Sequence, residues 1–255
     1  MGIITLTTDF GAGDHYAGVM KGVIAGINPS AIVIDITHGI GAYNIAEAAF
    51  KLHASYGYFP GGAVHVAVVD PGVGSARRAI AAEAGGYLFV GPDNGVFSMV
   101  FDKSGVDRII EITNPAFMLP SVSRTFHGRD IFAPAAAHLS RGVALEDLGN
   151  GLSSYERLDI RPPLDDGDVI EGRAVYADRF GNLVTNIPGS VITEGARIRA
   201  GDMIIDGMSA SYADGKEGEL IALTGSSGFL EISINKGSAL EFFGGKLPEV
   251  KIPKI

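Results

Sequence analysis

Asp70 closes an apolar run in "VVDPGVGSARR", Arg77 follows seven positions later, and His127 stands well downstream in "RTFHGRD". A carboxylate at the end of an apolar strand needs a partner, because burying an unpaired charge is costly. Arg77 can be that partner, either in a structural ion pair that pins the Pro-Gly turn or as part of an active site. His127 is crowded by Arg124, Arg129 and Asp130 around one glycine, outside any clear periodic element. Histidine titrates near neutrality, and loops that gather several ionisable groups are where function concentrates.

Other polar residues recur at the ends of apolar runs. Asp9 follows "IITLTT", Asp35 and His38 close "AIVIDIT", and Asp93 and Asn94 follow "YLFVGP". In open parallel sheets ligands collect at these carboxyl ends, where loops and helix N-termini converge. Asp14 reads equally as a cap for a helix beginning near Tyr16, and "PDNG" reads first as a turn. His53, His65 and His138 fall inside helix or strand patterns and read as structural.

Composition removes several classes of chemistry. The 255 residues include no cysteine, so disulfides, thiolate nucleophiles and Cys-based zinc sites are excluded. A net charge of −9 argues against a protein that grips phosphate backbones through Lys and Arg. "GAGDHYAG" has Tyr16 where a G-x-G-x-x-G fingerprint needs glycine, and no Walker loop occurs. The first residues carry no basic n-region, Leu6 stands where a myristoylation motif wants Ser or Thr, and no apolar run has the length of a membrane span. The expectation is a soluble, cytoplasmic protein without nucleic-acid or membrane partners.

The elements that must position these residues fall into two textures. Up to about residue 150, strand patterns ("IITLTT", "AIVIDIT", "AVHVAVV", "AIAAEA", "GYLFVG") alternate with helical ones. "YAGVMKGVIAGI" places Val19, Val23 and Ile27 on one helical face, and Asn44 with Glu47 forms a capping-box pattern before Ile45, Ala49, Leu52 and Tyr56. Apolar strands separated by helices predict an α/β domain with a mostly parallel central sheet covered on both faces. "RPPLDDGD" reads as a linker over 161–168, and the alternating, Gly-punctuated segments after it predict a small C-terminal antiparallel β-barrel. The expected domains are therefore 1–160 and 169–255.

Five segments, in order, resemble the S-adenosylmethionine hydroxide adenosyltransferases, relatives of the fluorinase and chlorinase: "TTDFGAGDHYAG", "VVDPGVGSARR", "GPDNGVFS", "RTFHGRDIFAPAAAHLS" and "DRFGNLVTNI". The resemblance implies an α/β domain joined to a β-barrel, a homotrimer with sites between subunits, and attack of water or hydroxide on the ribose 5′ carbon to give adenosine and L-methionine. It implies no cofactor and no metal, S-adenosylmethionine being the substrate. The family's Asp-Arg-His set falls on Asp70, Arg77 and His127, which would hold the attacking water. Asp9 would bind the ribose hydroxyls, and Asp14, Asp178, Phe180, Asn182 and Ser226 would contact substrate. Tyr43 and Tyr212 fall where the halogenases place aromatic groups, the first in place of a tryptophan. On this reading Arg77 lowers the Asp70 pKa, and His127 is the better proton acceptor. Three alternatives stay open: a metal-dependent hydrolase built on Asp9, Asp14, His38 and His127, a non-catalytic adenosine or S-adenosylmethionine binder, and a halogenase. Against the last, a carboxylate beside the nucleophile site is poorly suited to a desolvated halide.

Overall fold

A computed structural model describes residues 2–159, 163–193 and 195–254. The chain divides into two compact units, Met1–Leu158 and Asp159–Ile255.

The first unit runs β1 (Ile3–Thr8), α1 (Tyr16–Ile27), β2 (Ile32–Thr37), α2 (Ile45–Ser55), β3 (Val64–Val68), β4 (Ala79–Ala84), β5 (Tyr87–Pro92), α3 (Ser98–Ser104), β6 (Arg108–Ile112), α4 (Ala133–Leu139) and β7 (Gly149–Gly151). Its seven strands order as β2-β1-β3-β5-β4-β6-β7. The sheet is mixed. β2, β1, β3 and β5 are mutually parallel, whereas β4, β6 and β7 join antiparallel. The reversal begins at Gly85-Gly86, whose φ angles of +57° and +82° make the two-residue turn that links β4 to β5 as a hairpin. Five of the seven strands run in one direction, so the expectation of a mostly parallel sheet holds broadly, with β4 and β7 reversed.

Both faces of the sheet are covered. One core gathers Ile4, Leu6, Val66 and Val68 beneath α1 and α4, and the other gathers Ala67, Val69 and Phe89 beneath α2 and α3. In α1 the deepest residues are Ala17, Met20 and Ile24. The face expected from Val19, Val23 and Ile27 is rotated by one position to the flank, and Gly18, Gly22 and Gly26 complete the helix. Asn44 accepts from the Glu47 amide as expected, but the Glu47 carboxylate turns to the Gly41 amide and the Asn44 side chain, so the capping box is half formed. β2 is an edge strand with Ile32 and Ile34 substantially exposed.

The second unit contains β8 (Leu164–Asp165), β9 (Val169–Ala177), β10 (Leu183–Pro188), β11 (Arg197–Ala200), β12 (Met203–Asp206), β13 (Leu220–Thr224), β14 (Phe229–Ile234), α5 (Ala239–Phe242) and β15 (Glu249–Pro253). All its strand pairs are antiparallel, in the order β12-β11-β15-β9-β10-β14-β13. A bridge between Ser209 and Leu223 brings the chain leaving β12 alongside β13, so the sheet nearly closes on itself. Leu183, Ile198, Leu230, Ile232 and Val250 fill its interior. Of the segment read as a linker, Arg161 and Pro162 lie outside the described residues, while Leu164–Asp165 pair with β9. Among the described residues, no helix is long and apolar enough to cross a membrane.

Candidate active site

β1 and β3 are neighbours in register, with Thr8 opposite Val68, so Asp9 and Asp70 emerge from the same sheet end. Opposite Leu6 and Thr7, β2 carries one extra residue, Ile36, a bulge in the strand that leads to His38. The Asp9 loop is tied down from the side by β2. The His38 Nδ1 lies 2.8 Å from the Thr8 hydroxyl, which accepts from the Phe10 amide, and the Gly11 amide donates to the His38 carbonyl. His38 Nε2 faces Asp35 at 3.1 Å, and Lys21 pairs with the other Asp35 oxygen. Asp9 itself accepts the Tyr43 amide at 2.9 Å, holding Tyr43 in a left-handed backbone conformation (φ +64°) that costs a non-glycine residue about 1–2 kcal/mol.

Arg77 returns to Asp70 across the Pro-Gly turn in a two-pronged ion pair, Nη2 to Oδ2 at 2.5 Å and Nε to Oδ1 at 3.1 Å. Both side chains are nearly buried, at 7% and 6% exposure. Arg77 Nη2 also donates to His127 Nδ1 at 2.8 Å, Nη1 donates to the Arg78 carbonyl, and the guanidinium lies over the Phe132 ring. Because a guanidinium only donates, His127 Nδ1 must be the accepting nitrogen, so its lone pair is already engaged. His127 is not in an irregular loop: it stands at the entrance of a π-helical turn, Gly128–Phe132, that runs directly into α4. Asp130 at the core of this turn pairs with Arg129 and accepts the Ser123 amide, which fixes the approach to His127.

The electrostatics correct one expectation. Burial pushes the Asp70 carboxyl above its ordinary value of 3.8, outweighing the opposing pull of Arg77 and His127. Burial, reinforced by the Arg77 charge, holds His127 below 6.5. The cluster therefore contains a neutral imidazole and a carboxylate with more proton affinity than usual, rather than a depressed carboxylate beside a basic histidine.

Asp9, Tyr43, Asp70 and His127 share a cavity of about 290 Å³ in the first unit. Phe10, Tyr16 and Phe126 form its aromatic wall, with ring centroids 5.1–5.7 Å apart; their polar neighbours drew attention in the sequence, whereas the rings did not. Asp14 is exposed, does not line this cavity and does not cap α1, whose first residue follows His15 without a side-chain cap. A second cavity, of about 670 Å³, lies within the second unit and is lined by Asp178, Phe180, Asn182 and Tyr212. The Asp178 carboxylate is largely occupied by its own turn, accepting the amides of Phe180 and Asn182 and the Asn182 side chain. It thereby orients Asn182 and displays Phe180, which is 76% exposed. Ser226 lies exposed in the turn between β13 and β14, outside this cavity.

The remaining polar residues have structural partners. Asp93 clamps Arg78, and Asn94 donates to the Val69 carbonyl, as a turn reading requires. His65 is buried among Tyr56, Phe59 and Phe89 with Thr5 on its Nδ1, and burial lowers its pKa to about 4. Among the described residues no group of three or more His, Asp or Glu side chains is placed to hold a metal ion. Asp9, Asp14, His38 and His127 do not converge into a ligand set, so the metal-site alternative loses its residues.

Fold and site together define an α/β domain followed by an antiparallel barrel, with a carboxylate–guanidinium–imidazole cluster at the end of the parallel strands. The family models for the SAM hydroxide adenosyltransferase N-terminal and C-terminal domains match residues 4–149 and 172–249. An (R)-S-adenosyl-L-methionine hydrolase of Thermus thermophilus is 39% identical over 246 residues, spanning 94% of both chains. One of Methanocaldococcus jannaschii is 39% identical over 245 residues, 91% of this chain and 88% of its own. The crystal structure of an uncharacterized conserved protein from Thermotoga maritima, 40% identical, superposes with a TM-score of 0.92 over 98% of this chain and all of that one. The chain belongs to the SAM hydroxide adenosyltransferase family.

Proposed function

We infer that the protein hydrolyses S-adenosyl-L-methionine to adenosine and L-methionine. The observation that supports this reading most directly is the Asp70–Arg77–His127 cluster opening onto the same cavity as Asp9. On this reading the first unit carries the reacting groups, and the second supplies adenine and methionine contacts through Asp178, Phe180, Asn182, Tyr212 and Ser226. The working form is a cytoplasmic homotrimer, as the sequence resemblance implies.

The roles follow from which lone pairs and hydrogens remain available. A carboxylate offers about four acceptor sites. Arg77 takes two of those on Asp70 and the Gly72 amide another, which leaves one facing the cavity. A water donating to that site directs its own lone pair into the cavity, toward the ribose 5′ carbon of a bound substrate. The new O–C5′ bond forms as the C5′–S bond breaks, and the departing pair neutralises the sulfonium, so the leaving thioether needs no acid. The water's proton passes to Asp70, whose burial raises its affinity for it. His127 does not accept that proton, because Arg77 occupies its lone pair. It acts instead as a stop that fixes the rotation of the guanidinium. Asp9 takes the ribose hydroxyls, and the pinned Tyr43 closes the cavity rim.

Chromatography of chelator-treated protein incubated with S-adenosylmethionine, with and without chloride, tests the reading. Adenosine and methionine in equal amounts, independent of chloride and lost in Asp70→Ala, are expected. A 5′-halogenated nucleoside would assign the protein to the halogenase branch, and tight adenosine binding without turnover would make it a binder.

A further inference from the structure

Behind Tyr212 stands Glu231, in the middle of β14. Leu230 and Ile232 point into the barrel core, so strand alternation turns Glu231 to the opposite face. It is nonetheless 7% exposed there, and burial, with the Asp178 charge, raises its carboxyl above the ordinary value. Glutamate is a poor strand former, and a buried carboxylate costs several kcal/mol unless it is well partnered, so packing alone favours an apolar residue at this position.

Its two oxygens contact two different parts of the second unit. Oε2 accepts the Tyr212 hydroxyl at 2.7 Å. Oε1 lies beneath the turn that carries Ser226: a methyl group placed on Gly225 would come within 1.8 Å of it. Gly225 also anchors that turn through its amide to the Phe229 carbonyl and through its own carbonyl, which accepts the Gly228 amide. Tyr212 belongs to a short helical turn, Tyr212–Asp214, closed by Ser211 and Asp214, and the residue is 43% exposed. The hydrogen bond from its hydroxyl to Glu231 ties the far end of the ring to β14.

We propose that Glu231 is a positioning residue for nucleoside binding, holding the Tyr212 ring as a fixed wall of the second-unit cavity and seating the Gly225–Gly228 turn from below. The proposal rests on the hydrolase reading, in which this cavity takes the purine end of the substrate. A preordered ring loses less freedom when a flat base settles against it, so the benefit falls on binding and leaves the bond-breaking step untouched. Glycine at position 225 is the complementary requirement, because a side chain there would occupy the space of the carboxylate.

The test measures steady-state hydrolysis of S-adenosylmethionine and calorimetric binding of adenosine. Glu231→Leu, similar in bulk but lacking the acceptor, should raise KM and the adenosine Kd about tenfold, with kcat within about twofold of the parent. Glu231→Gln, which keeps an acceptor for the hydroxyl, should restore most of the affinity. Tyr212→Phe should resemble Glu231→Leu, and the double variant should be no worse than either single, since the pair acts as one unit. Gly225→Ala, whose methyl group would displace the Glu231 carboxylate, should weaken binding similarly. Parental KM and Kd in Glu231→Leu, a fall in kcat alone, or additive losses in the double variant would each overturn the role of Glu231 while leaving the hydrolase reading intact. A parent protein that neither hydrolyses S-adenosylmethionine nor binds adenosine would remove both.

Discussion

The two cavities solve opposite problems. In the first unit, Asp70, Arg77 and His127 bond to one another, and Asp70 and His127 line the cavity. In the second, the Asp178 turn spends its carboxylate on holding Asn182 and pushes Phe180 into the open. One arrangement rations charge toward a reacting atom, and the other displays surface to a ligand. Changes in the first should therefore act on turnover and changes in the second on affinity, a division that can be broken experimentally.

The largest effect is expected at Asp70. Asp70→Asn keeps the shape but loses the ionised acceptor, and kcat should fall about 10³-fold while calorimetric adenosine affinity stays near that of the parent. Equal losses of kcat and affinity would merge the two regions into one. Next comes Arg77→Met, which leaves Asp70 buried without its cation and should cost about 3–5 kcal/mol of stability by denaturant titration, as well as activity. An unchanged midpoint would show that the pair is not a structural element of the β3–β4 turn. In the second unit, Phe180→Ala should raise KM about tenfold through lost stacking area, with kcat little altered.

A smaller, pH-dependent effect tests the charge state of the cluster. The active form has Asp70 ionised and His127 neutral. Both protonate only as the pH falls, Asp70 above 3.8 and His127 below 6.5. An acid limb of kcat set by Asp70 should lie above pH 3.8, and His127→Asn should move it upward, because His127 favours the ionised carboxylate. A limb that does not move in His127→Asn would show that His127 has no hold on the Asp70 charge. Asp14→Ala should change kcat and KM by less than about twofold, because surface substitutions away from partners are nearly neutral. A large effect would bring the exposed Asp14 loop into the site.

Much of this was legible in the chain, for identifiable reasons. Asp70 and Arg77 stood out because ionisable residues bracket a turn after an apolar run, and His127 because it sits among Arg124, Arg129 and Asp130. The family resemblance joined the three, and the strand ends drew attention to Asp9. The proton affinities were not legible: which way Asp70 shifts depends on how completely the Pro-Gly turn and Phe132 exclude water, and spacing carries no such information. The mixed sheet escaped because "AIAAEA" and "GYLFVG" look like any pair of buried strands unless Gly85-Gly86 is read as a hairpin turn. Glu231 escaped for a similar reason. A lone glutamate in "FLEISIN" looks like the solvent face of an alternating strand, and only the approach of Tyr212 and Gly225 shows otherwise.

The π-helical turn at Gly128–Phe132 carries a consequence of its own. A π turn accommodates one residue more than the helix that follows it, so it works as a phase adjuster between α4 and the residues ahead of it. Five residues at the wider π pitch turn through about the same angle as four α-helical ones, so the extra residue is absorbed without turning His127 away from Arg77. Losing one residue within 128–132 and regularising to α would therefore nearly preserve that phase. One further inserted residue in a regular helix would instead rotate everything ahead of it by about 100°, separating His127 from Arg77 while every side chain of the cluster is still present.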